Sequence, residues 1–192
     1  MRLGLTVGGT STKINFGDQV APLVQGASTG TVDLLLFDRL SLSAALGASL
    51  DGHIDYRGQR FVLRPGPIGG LGIAYRLFGN QGMPFLHLSA SYSIARSRTR
   101  APDTSEATFT SRDSRLGLAV GKTLGSVAAP FLVARYFGAG TNWSVGGGHG
   151  ADHYRYHVGI GSAFGLSTHF DALLELAFLG ERRASIGAGY TF

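Results

Sequence analysis

Apolar residues alternate with small or polar residues along most of this chain, with a period of two. The clearest example is the segment 85–96. Its apolar face carries Leu86, Leu88, Ala90, Tyr92 and Ile94, and its other face carries His87, Ser89, Ser91 and Ser93. Since side chains of a β-strand point alternately to opposite faces, this pattern predicts a strand with one apolar side.

The same alternation recurs in ten segments. These are 2–9, 29–37, 40–51, 67–78, 85–96, 109–124, 130–140, 153–164, 169–179 and 183–192. Dividing 192 residues among ten strands leaves about 19 for each strand and its connection, enough for a membrane-crossing strand of about 9–11 residues. The sequence predicts about ten antiparallel strands in one domain spanning 1–192, with eight as the alternative if a weak segment is not a strand.

The predicted connections differ in length. Short ones fall at 38–39, 79–82, 125–126, 165–167 and 180–182, and long ones at 10–26, 52–66, 97–108 and 141–152. Apart from 180–182, short and long connections alternate along the chain. Short turns at one end and long loops at the other are typical of transmembrane β-barrels. An even strand number would place both termini on the short-turn side.

The distribution of residue types favours a membrane barrel over a soluble sandwich. The face opposite the apolar one is mostly Gly, Ser, Ala and Thr, which suits the narrow interior of a small barrel. Aromatic residues cluster near the predicted strand ends, as they do at membrane interfaces. Those near the short turns are Phe37, Phe78, Phe85, Phe131, Phe164, Phe170, Tyr190 and Phe192, and those near the long loops are Tyr92, Tyr136, Tyr154 and Tyr156.

Charges within the strands fall mostly on the small-residue face. They are Arg76, Arg115, Arg135, Arg155, Asp33, Asp171 and Glu175. Because a charge that faces lipid at the bilayer midplane costs about 2–4 kcal/mol, we expect these residues to form a charge network in the lumen. The expected pairs join Asp171 and Glu175 to Arg155.

Composition further limits the classes of protein to which this chain can belong. Charged residues make up only 15% of the chain, hydrophobic residues make up 44%, and the sequence holds no apolar run long enough for a transmembrane helix. Either a soluble all-β domain or a membrane barrel remains. The absence of cysteine excludes disulfides and thiolate chemistry. Residues 1–5 lack the features of a signal peptide, so we expect a mature sequence with an added initiator Met.

The chain is basic, with a net charge of +5, but its arginines are dispersed and indicate no nucleic-acid partner. The densest group is Arg96, Arg98 and Arg100, at the predicted exit of a strand from the membrane. Arginine can bind phosphate through two hydrogen bonds. Contact with lipopolysaccharide phosphates is therefore one interpretation of this group, and ordinary loop charge is the other and the favoured one.

The last six residues, 187–192, read Gly-Ala-Gly-Tyr-Thr-Phe. This ending resembles the final strand of bacterial outer-membrane β-barrel proteins, which commonly close on an aromatic residue preceded by alternating apolar residues. The resemblance implies an outer-membrane location with periplasmic termini, contact with outer-membrane lipid, and recognition of Tyr190 and Phe192 by the barrel-assembly machinery. It identifies no subfamily.

Two types of outer-membrane enzyme share residue patterns with this chain. Outer-membrane lipid A deacylases use a His-x-Ser pair with a Glu, and His87, Ser89 and Glu106 match that composition. Outer-membrane aspartyl-type proteases use an Asp-x-His element, which Asp51 and His53 match without a second acidic pair. In both cases a structural role is the favoured interpretation.

Four residues invite comparison with a metal site: His149, Asp152, His153 and His157. Imidazole and carboxylate are zinc and copper ligands. However, a single glycine-rich loop holds ligands poorly, so we expect no metal and no cofactor. The sequence thus predicts a non-catalytic barrel with a filled polar lumen, and the alternatives are a narrow pore for small solutes, a deacylase-like enzyme and a soluble binding module.

Overall fold

Antiparallel β-strands account for most of the chain in the computed structural model, which describes residues 1–79, 84–125, 127–145 and 148–192. The strands in these ranges are β1 (Arg2–Phe16), β2 (Gln19–Leu36), β3 (Leu40–Tyr56), β4 (Gln59–Leu63), β5 (Gly66–Phe78), β6 (Pro84–Arg100), β7 (Glu106–Lys122), β8 (Ala128–Trp143), β9 (Gly148–Asp152), β10 (Tyr156–Gly165), β11 (Phe170–Gly180) and β12 (Arg182–Thr191). No helix in the described ranges has the length and hydropathy required to cross a membrane. The predicted turn residues 80–82 and 126 lie outside the described residues.

Ten of these strands close into a ring, here called the base. Its order is β1-β2-β3-β5-β6-β7-β8-β10-β11-β12, and the pairing of β12 with β1 completes the circle. Each of the ten predicted segments contributes one strand, so the larger of the two predicted strand numbers is confirmed. Both termini lie together at the short-turn end, where the Phe192 amide donates to the Met1 carbonyl at 3.0 Å.

The register of the base confirms the predicted faces. On β1, Leu3, Leu5 and Val7 point outward and are exposed, whereas the alternating small residues between them point into the lumen. On β12, Ile186 is exposed on the outer face in the same way. A continuous belt of exposed aliphatic side chains is stable only in contact with lipid or another apolar partner.

The predicted long loops are wrong. Residues 10–26 continue β1 and β2 to a tight turn at Gly17, residues 52–66 contain the β3–β4 hairpin, and 97–108 extend β6 and β7. Much of 141–152 belongs to β8 and β9. Within the described residues these segments form a second ring, here called the extension, of eight strands in the order β1-β2-β3-β4-β6-β7-β8-β9, with β9 pairing back to β1.

The polarity of the alternation inverts between base and extension, which explains the error. In β1, Lys13 faces outward while Ile14 and Phe16 are buried inside. In β6, Ile94 is the last outward aliphatic residue before Arg96. Apolar-inside alternation is typical of strands surrounded by water. The sequence-based prediction assumed that the apolar face of each strand points toward lipid. The stretches whose apolar residues point inward were therefore predicted to be loops.

An apolar cluster, here called the roof, fills the inside of the extension. Its buried members are Ile14, Phe16, Ala21, Leu23, Ile54, Tyr56, Phe61, Leu63, Phe109 and Trp143. Trp143 lies among four aromatic rings and is 1% exposed; its Nε1 donates to Thr99 Oγ1 at 2.8 Å. The roof closes one end of the lumen, and the ion pairs described next lie beneath it.

Candidate functional site

The lumen holds three ion-pair groups at successive heights. The lowest lies at the short-turn end, where Arg2 donates to Asp171 through Nε at 2.9 Å and Nη2 at 2.5 Å, and to Asp33 through Nη1 at 3.0 Å. A methyl group at Gly189 would lie within 2.5 Å of the guanidinium. The small lumen-facing residue of β12 thus makes space for an arginine that joins β2, β1 and β11.

The middle group centres on Arg135 of β8. Its guanidinium donates to both carboxylate oxygens of Glu175 on β11, with Nη2 2.7 Å from Oε2, and its Nη1 lies 3.0 Å from His157 Nε2. Glu175 is 5% exposed and His157 is fully buried. This bidentate pair crosses β10 and ties together the two strands on either side of it.

The upper group centres on Arg115 of β7. Arg115 Nε donates to Asp113 at 2.5 Å and Nη1 donates to Glu181 at 3.1 Å, while the guanidinium lies 5.0 Å from the Phe137 ring centre. Glu181 enters the lumen from the β11–β12 turn. That turn needs Gly180, which has a φ of 75° and whose Cβ would meet the Tyr156 carbonyl oxygen at 1.9 Å.

Between the upper group and the roof's inner surface lies a cavity of about 340 Å³, here called the upper cavity. One wall carries charged residues, namely Asp113, Arg115, Asp152, Glu181 and Arg183. The facing wall carries mainly small and hydroxyl residues, among them Thr10, Thr12, Gln25, Ala27, Thr29, Ser43, Ala45, Ser91 and Ser93. The charged residues that line this cavity therefore come from β7, β9, β12 and the β11–β12 turn, whereas the residues named from β1, β2, β3 and β6 are uncharged.

Asp152 belongs to β9, which is part of the extension and not of the ten-stranded base. Burial raises the pKa of its carboxyl to about 7, and the nearby negative charges of Asp113 and Glu181 add to that increase against the opposing effect of Arg115. This side chain therefore changes charge near neutral pH.

A second cavity of about 600 Å³ lies nearer the short-turn end. Phe85, His87 and Phe131 line it, and the rings of Phe85 and His87 are 5.1 Å apart. The sequence placed Phe85 and Phe131 in an outer aromatic girdle, and this is wrong. Gly121 and Gly161 provide the space, because a Cβ at either position would collide with one or both of the inward rings.

Of the seven predicted lumen charges, five form the contacts just described: Asp33, Arg115, Arg135, Asp171 and Glu175. Arg76 lies at the short-turn mouth, exposed, and donates to the Asp38 carbonyl at 2.6 Å. Arg155 precedes β10 and is exposed. The expected pairs of Arg155 with Asp171 and Glu175 are therefore wrong, because the β10 partners of these two acids are Gly165 and Gly161, which lie roughly 33 and 20 Å along the strand from Arg155.

The predicted lumen charge network left out six lumen residues: Arg2, Asp113, Asp152, His157, Glu181 and Arg183. Arg2, His157 and Arg183 stand on the small-residue side of their strands, so the alternation itself carried a signal for them. Asp113 also alternates inward with Arg115. Asp152 and Glu181 fell in predicted connections, where alternation gave no direction.

The residues considered for catalysis do not converge. His87 and Ser89 face the lumen of the base, whereas Glu106 begins β7 in the extension. Since Ser89 pairs with Gly117, eleven residues of strand separate Glu106 from Ser89, roughly 36 Å. The predicted deacylase-like triad is therefore not assembled.

Asp51 and the histidines are also dispersed. A register shift opposite Gln25 and Ala27 leaves Asp51 exposed. His149 and His153 lie on the extension, where their Nδ1 atoms contact Asn142 and Asn15 at 2.7 and 3.1 Å. In the described ranges, no three residues among His, Cys, Asp and Glu are grouped as metal ligands.

The three arginines near the predicted membrane exit form a ladder on the outer face of β6. Arg96, Arg98 and Arg100 are all exposed and alternate outward immediately beyond Ile94. Arg112 on β7 pairs with Ile94 and is also exposed. Glu106 lies 3.5 Å from Arg98, which leaves the ladder with a net positive charge directly above the aliphatic belt.

Comparison with known proteins supports the fold. No protein-family model and no curated protein match the chain. Solved structures do match. The outer membrane protease OmpT from Escherichia coli is 12% identical with a TM-score of 0.59, and the match covers 100% of this chain and 96% of that chain. The translocator domain of the autotransporter NalP from Neisseria meningitidis (11% identity, TM-score 0.57) and the transport unit of the autotransporter AIDA-I from Escherichia coli (12% identity, TM-score 0.55) are also matched over 100% of this chain, and over 88% and 90% of their own chains. The chain has the fold of bacterial outer-membrane β-barrels.

Proposed function

We propose that residues 1–192 form an integral outer-membrane β-barrel that is not catalytic, has a filled polar lumen, and presents its extension to the outside of the cell. The observation that carries this proposal is the inversion of polarity within single strands. In β1 the outward residues change from Leu3, Leu5 and Val7 to Lys13. A strand that leaves lipid for water has to change its outer face in this way.

Detergent partition and heat-modifiable gel mobility test the membrane proposal. The refolded barrel should remain in detergent micelles and migrate faster in SDS before boiling than after it. A chain that stays soluble and monomeric without detergent, with the same mobility in both samples, would instead be a soluble β-barrel or β-sandwich binding module.

The orientation has its own support and test. Short turns and both termini lie at one end, and the hairpins of the extension lie at the other. Because the chain contains no cysteine, single cysteines can report exposure in whole cells. Asp18→Cys, at the β1–β2 turn, should react with a membrane-impermeant maleimide, whereas Thr168→Cys, at the β10–β11 turn, should react only after lysis. The reverse result would invert the barrel.

The closed lumen favours a non-conducting barrel over a narrow pore. The roof fills the extension, and the side chains of the Arg135–Glu175 and Arg115–Glu181 pairs occupy part of the lumen beneath it. In planar bilayers the pure protein should show no conductance steps. Regular single-channel steps from a monodisperse preparation would establish the pore alternative instead.

Lipopolysaccharide is the proposed partner of Arg96, Arg98 and Arg100. The support is position and charge, since the ladder stands immediately above the aliphatic belt, where lipid phosphates lie, and arginine binds phosphate through two hydrogen bonds. Replacing all three with Gln should reduce the lipopolysaccharide that co-purifies with the barrel. Arg57→Gln, in the exposed β3–β4 turn, is the matched control and should retain it.

The barrel-assembly machinery is the proposed partner of the C-terminal strand. Phe192 is 66% exposed, and the Tyr190 ring packs edge-on against Phe192 and Phe170 at 4.8 and 4.9 Å between ring centres. Phe192→Ala should lower the yield of membrane-inserted barrel in cells without preventing refolding in detergent. Thr191→Ala controls for general effects of mutating this strand.

The enzyme alternative concerns lipid A deacylation by His87 and Ser89, and OmpT shows that a barrel of similar fold can be a protease. Glu106 lies far along the strand from His87 and Ser89, and the Asp51–His53 element lacks the second acidic pair that such proteases use. Ser89→Ala and His53→Ala should leave lipid A acylation and proteolysis at the level of the unaltered protein. An activity lost in either variant would replace the non-catalytic proposal.

A further inference from the structure

Two charged side chains of the upper cavity lack an ion pair. Among the described residues, neither Arg183 of β12 nor Asp152 of β9 lies within 4.0 Å of an opposite charge, whereas Arg115 and Arg135 are both paired. Both unpaired residues line the cavity. Both residues are only partly exposed. Because a charge that is largely withdrawn from water is costly without a partner, Arg183 and Asp152 are both open to an oppositely charged ligand.

The strand register fixes the relative positions of these two residues. Arg183 pairs with Thr10 of β1, and Asp152 pairs with Ile14 of the same strand. Four residues separate those positions, roughly 13 Å along the strand. The arginine side chain covers part of this distance, so a short molecule with opposite charges at its two ends could reach both residues.

The hydroxyl-rich wall supplies a second, independent observation. Thr12 is only 8% exposed, lines the cavity, and its Oγ1 has no hydrogen-bond partner within the described part of the chain. Asp113 Oδ1 and Gln25 Nε2, from the same cavity lining, are also buried without partners in that part. Since buried polar atoms are nearly always hydrogen-bonded, to protein or to ordered water, these atoms are available to bind a polar guest that displaces water from the cavity.

The balance of charge determines where each end of such a guest would bind. The middle and upper groups, together with the unpaired residues, contain four carboxylates and three arginines: Asp113, Asp152, Glu175 and Glu181 against Arg115, Arg135 and Arg183. The excess carboxylate is at the roof end, where burial and the neighbouring acids raise the pKa of Asp152 to about 7. A cationic group therefore suits that end, and an anionic group suits Arg183.

We propose that the upper cavity binds a small zwitterion of amino-acid size, whose carboxylate accepts hydrogen bonds from Arg183 and whose ammonium donates to Asp152 and to the free oxygen of Asp113. Thr12 and Gln25 complete the polar contacts around the guest. This inference goes beyond the proposed barrel, because a barrel that inserts correctly and conducts nothing can still be a binding protein.

Isothermal titration of the refolded barrel in detergent tests the proposal with defined probes. L-alanine and β-alanine carry both charges at different separations, propionate carries only the anion, and propylamine carries only the cation. At least one zwitterion should bind, and both singly charged probes should bind at least about tenfold more weakly. If neither zwitterion gives binding heat at concentrations up to about 10 mM, any affinity is weaker than the millimolar range of specific binding, and the proposal is overturned. Propionate or propylamine binding as tightly as a zwitterion would also overturn it.

Variants locate the binding within the lumen. Arg183→Gln and Asp152→Asn should each weaken zwitterion binding by about tenfold or more, and Arg183→Lys should restore part of it. The matched controls are Arg182→Gln and Asp51→Asn, since both residues are exposed on the outside. Unchanged binding in both lumen variants would exclude this cavity. Heat-modifiable mobility of every variant separates loss of binding from loss of the barrel.

Discussion

Arg2 holds Asp171 through two hydrogen bonds, although 169 positions separate the two residues in the chain. The contact passes over β12, which lies between β1 and β11 in the base. It therefore spans the seam where the first and last strands of the chain close the barrel. The same guanidinium also donates to Asp33 on β2.

Arg2→Lys tests the geometry of the seam. Lysine keeps the positive charge but cannot form the bidentate hydrogen bonds of arginine. We expect the free energy of unfolding to fall by only about 1 kcal/mol, because all three side chains are partly exposed. Thermal conversion from the fast to the slow gel form measures it. Arg39→Lys, in the exposed β2–β3 turn, should change nothing, and an equal loss there would refute the seam's role.

Glu175→Gln should lower heat resistance more strongly. The replacement leaves Arg135 in the lumen without its carboxylate, while His157 offers only a neutral or repulsive contact. We expect the free energy of unfolding to fall by about 2–3 kcal/mol. This is less than the about 3–5 kcal/mol typical when a fully buried ion pair is broken, because the Arg135 side chain is partly exposed. Glu106→Gln on the exposed extension is the control, and unchanged melting of Glu175→Gln would reject the pairing.

Trp143→Ala should open the roof. Removing this ring leaves a cavity among Phe16, Tyr56, Phe61 and Phe109 and should cost about 3–5 kcal/mol in the extension. Because the base has its own strand pairings, the variant should still show heat-modifiable mobility, but its extension should be cleaved faster by protease. Leu124→Ala, exposed near a short turn, controls for general loosening, and a protease-resistant Trp143→Ala would contradict this description of the roof.

Asp152 should make stability depend on pH in a definite direction. Its pKa is about 7 in the folded chain and about 3.8 when unperturbed, so the folded state retains a proton that the unfolded chain releases. Stability from this group is therefore present at low pH and is lost as pH rises from about 4 to about 7. Asp113 of β7 and Glu181 of the β11–β12 turn oppose its ionisation, whereas Arg115 and the backbone hydrogen bond from Ala139 favour it.

Asp152→Asn should remove that loss. Measured without ligand, the free energy of unfolding of the variant should match that of the unaltered protein near pH 4 and exceed it by about 1–2 kcal/mol at pH 8. A full shift would contribute about 1.4 kcal/mol for each pKa unit. We expect less because the side chain borders a cavity and is partly screened by solvent. Asp51→Asn, an exposed carboxylate, should show no such difference. A variant equally stable with the unaltered protein at pH 8 would show that Asp152 ionises without cost.

Much of the base could be predicted because alternation is a local property. Leu86 to Ile94 and their serine counterparts are adjacent in sequence, so their faces can be assigned without knowing the neighbouring strands. The extension could not be predicted in the same way. Ile14 and Phe16 are apolar and alternate, but whether they face lipid or an interior depends on where the strand leaves the membrane, and no single residue marks that point.

Local residue patterns are enough to predict the period of two, the outward aliphatic face of each base strand, the small lumen-facing residues and the aromatic end at Phe192. Which charges meet depends on the closed barrel. Arg2 joins Asp171, Arg135 joins Glu175, and Arg155 stays outside, because these contacts follow from ring closure and strand stagger, which are set by all ten strands together. The unpaired Arg183 and Asp152 emerge from the same closure, since no local pattern shows that two distant residues border one cavity.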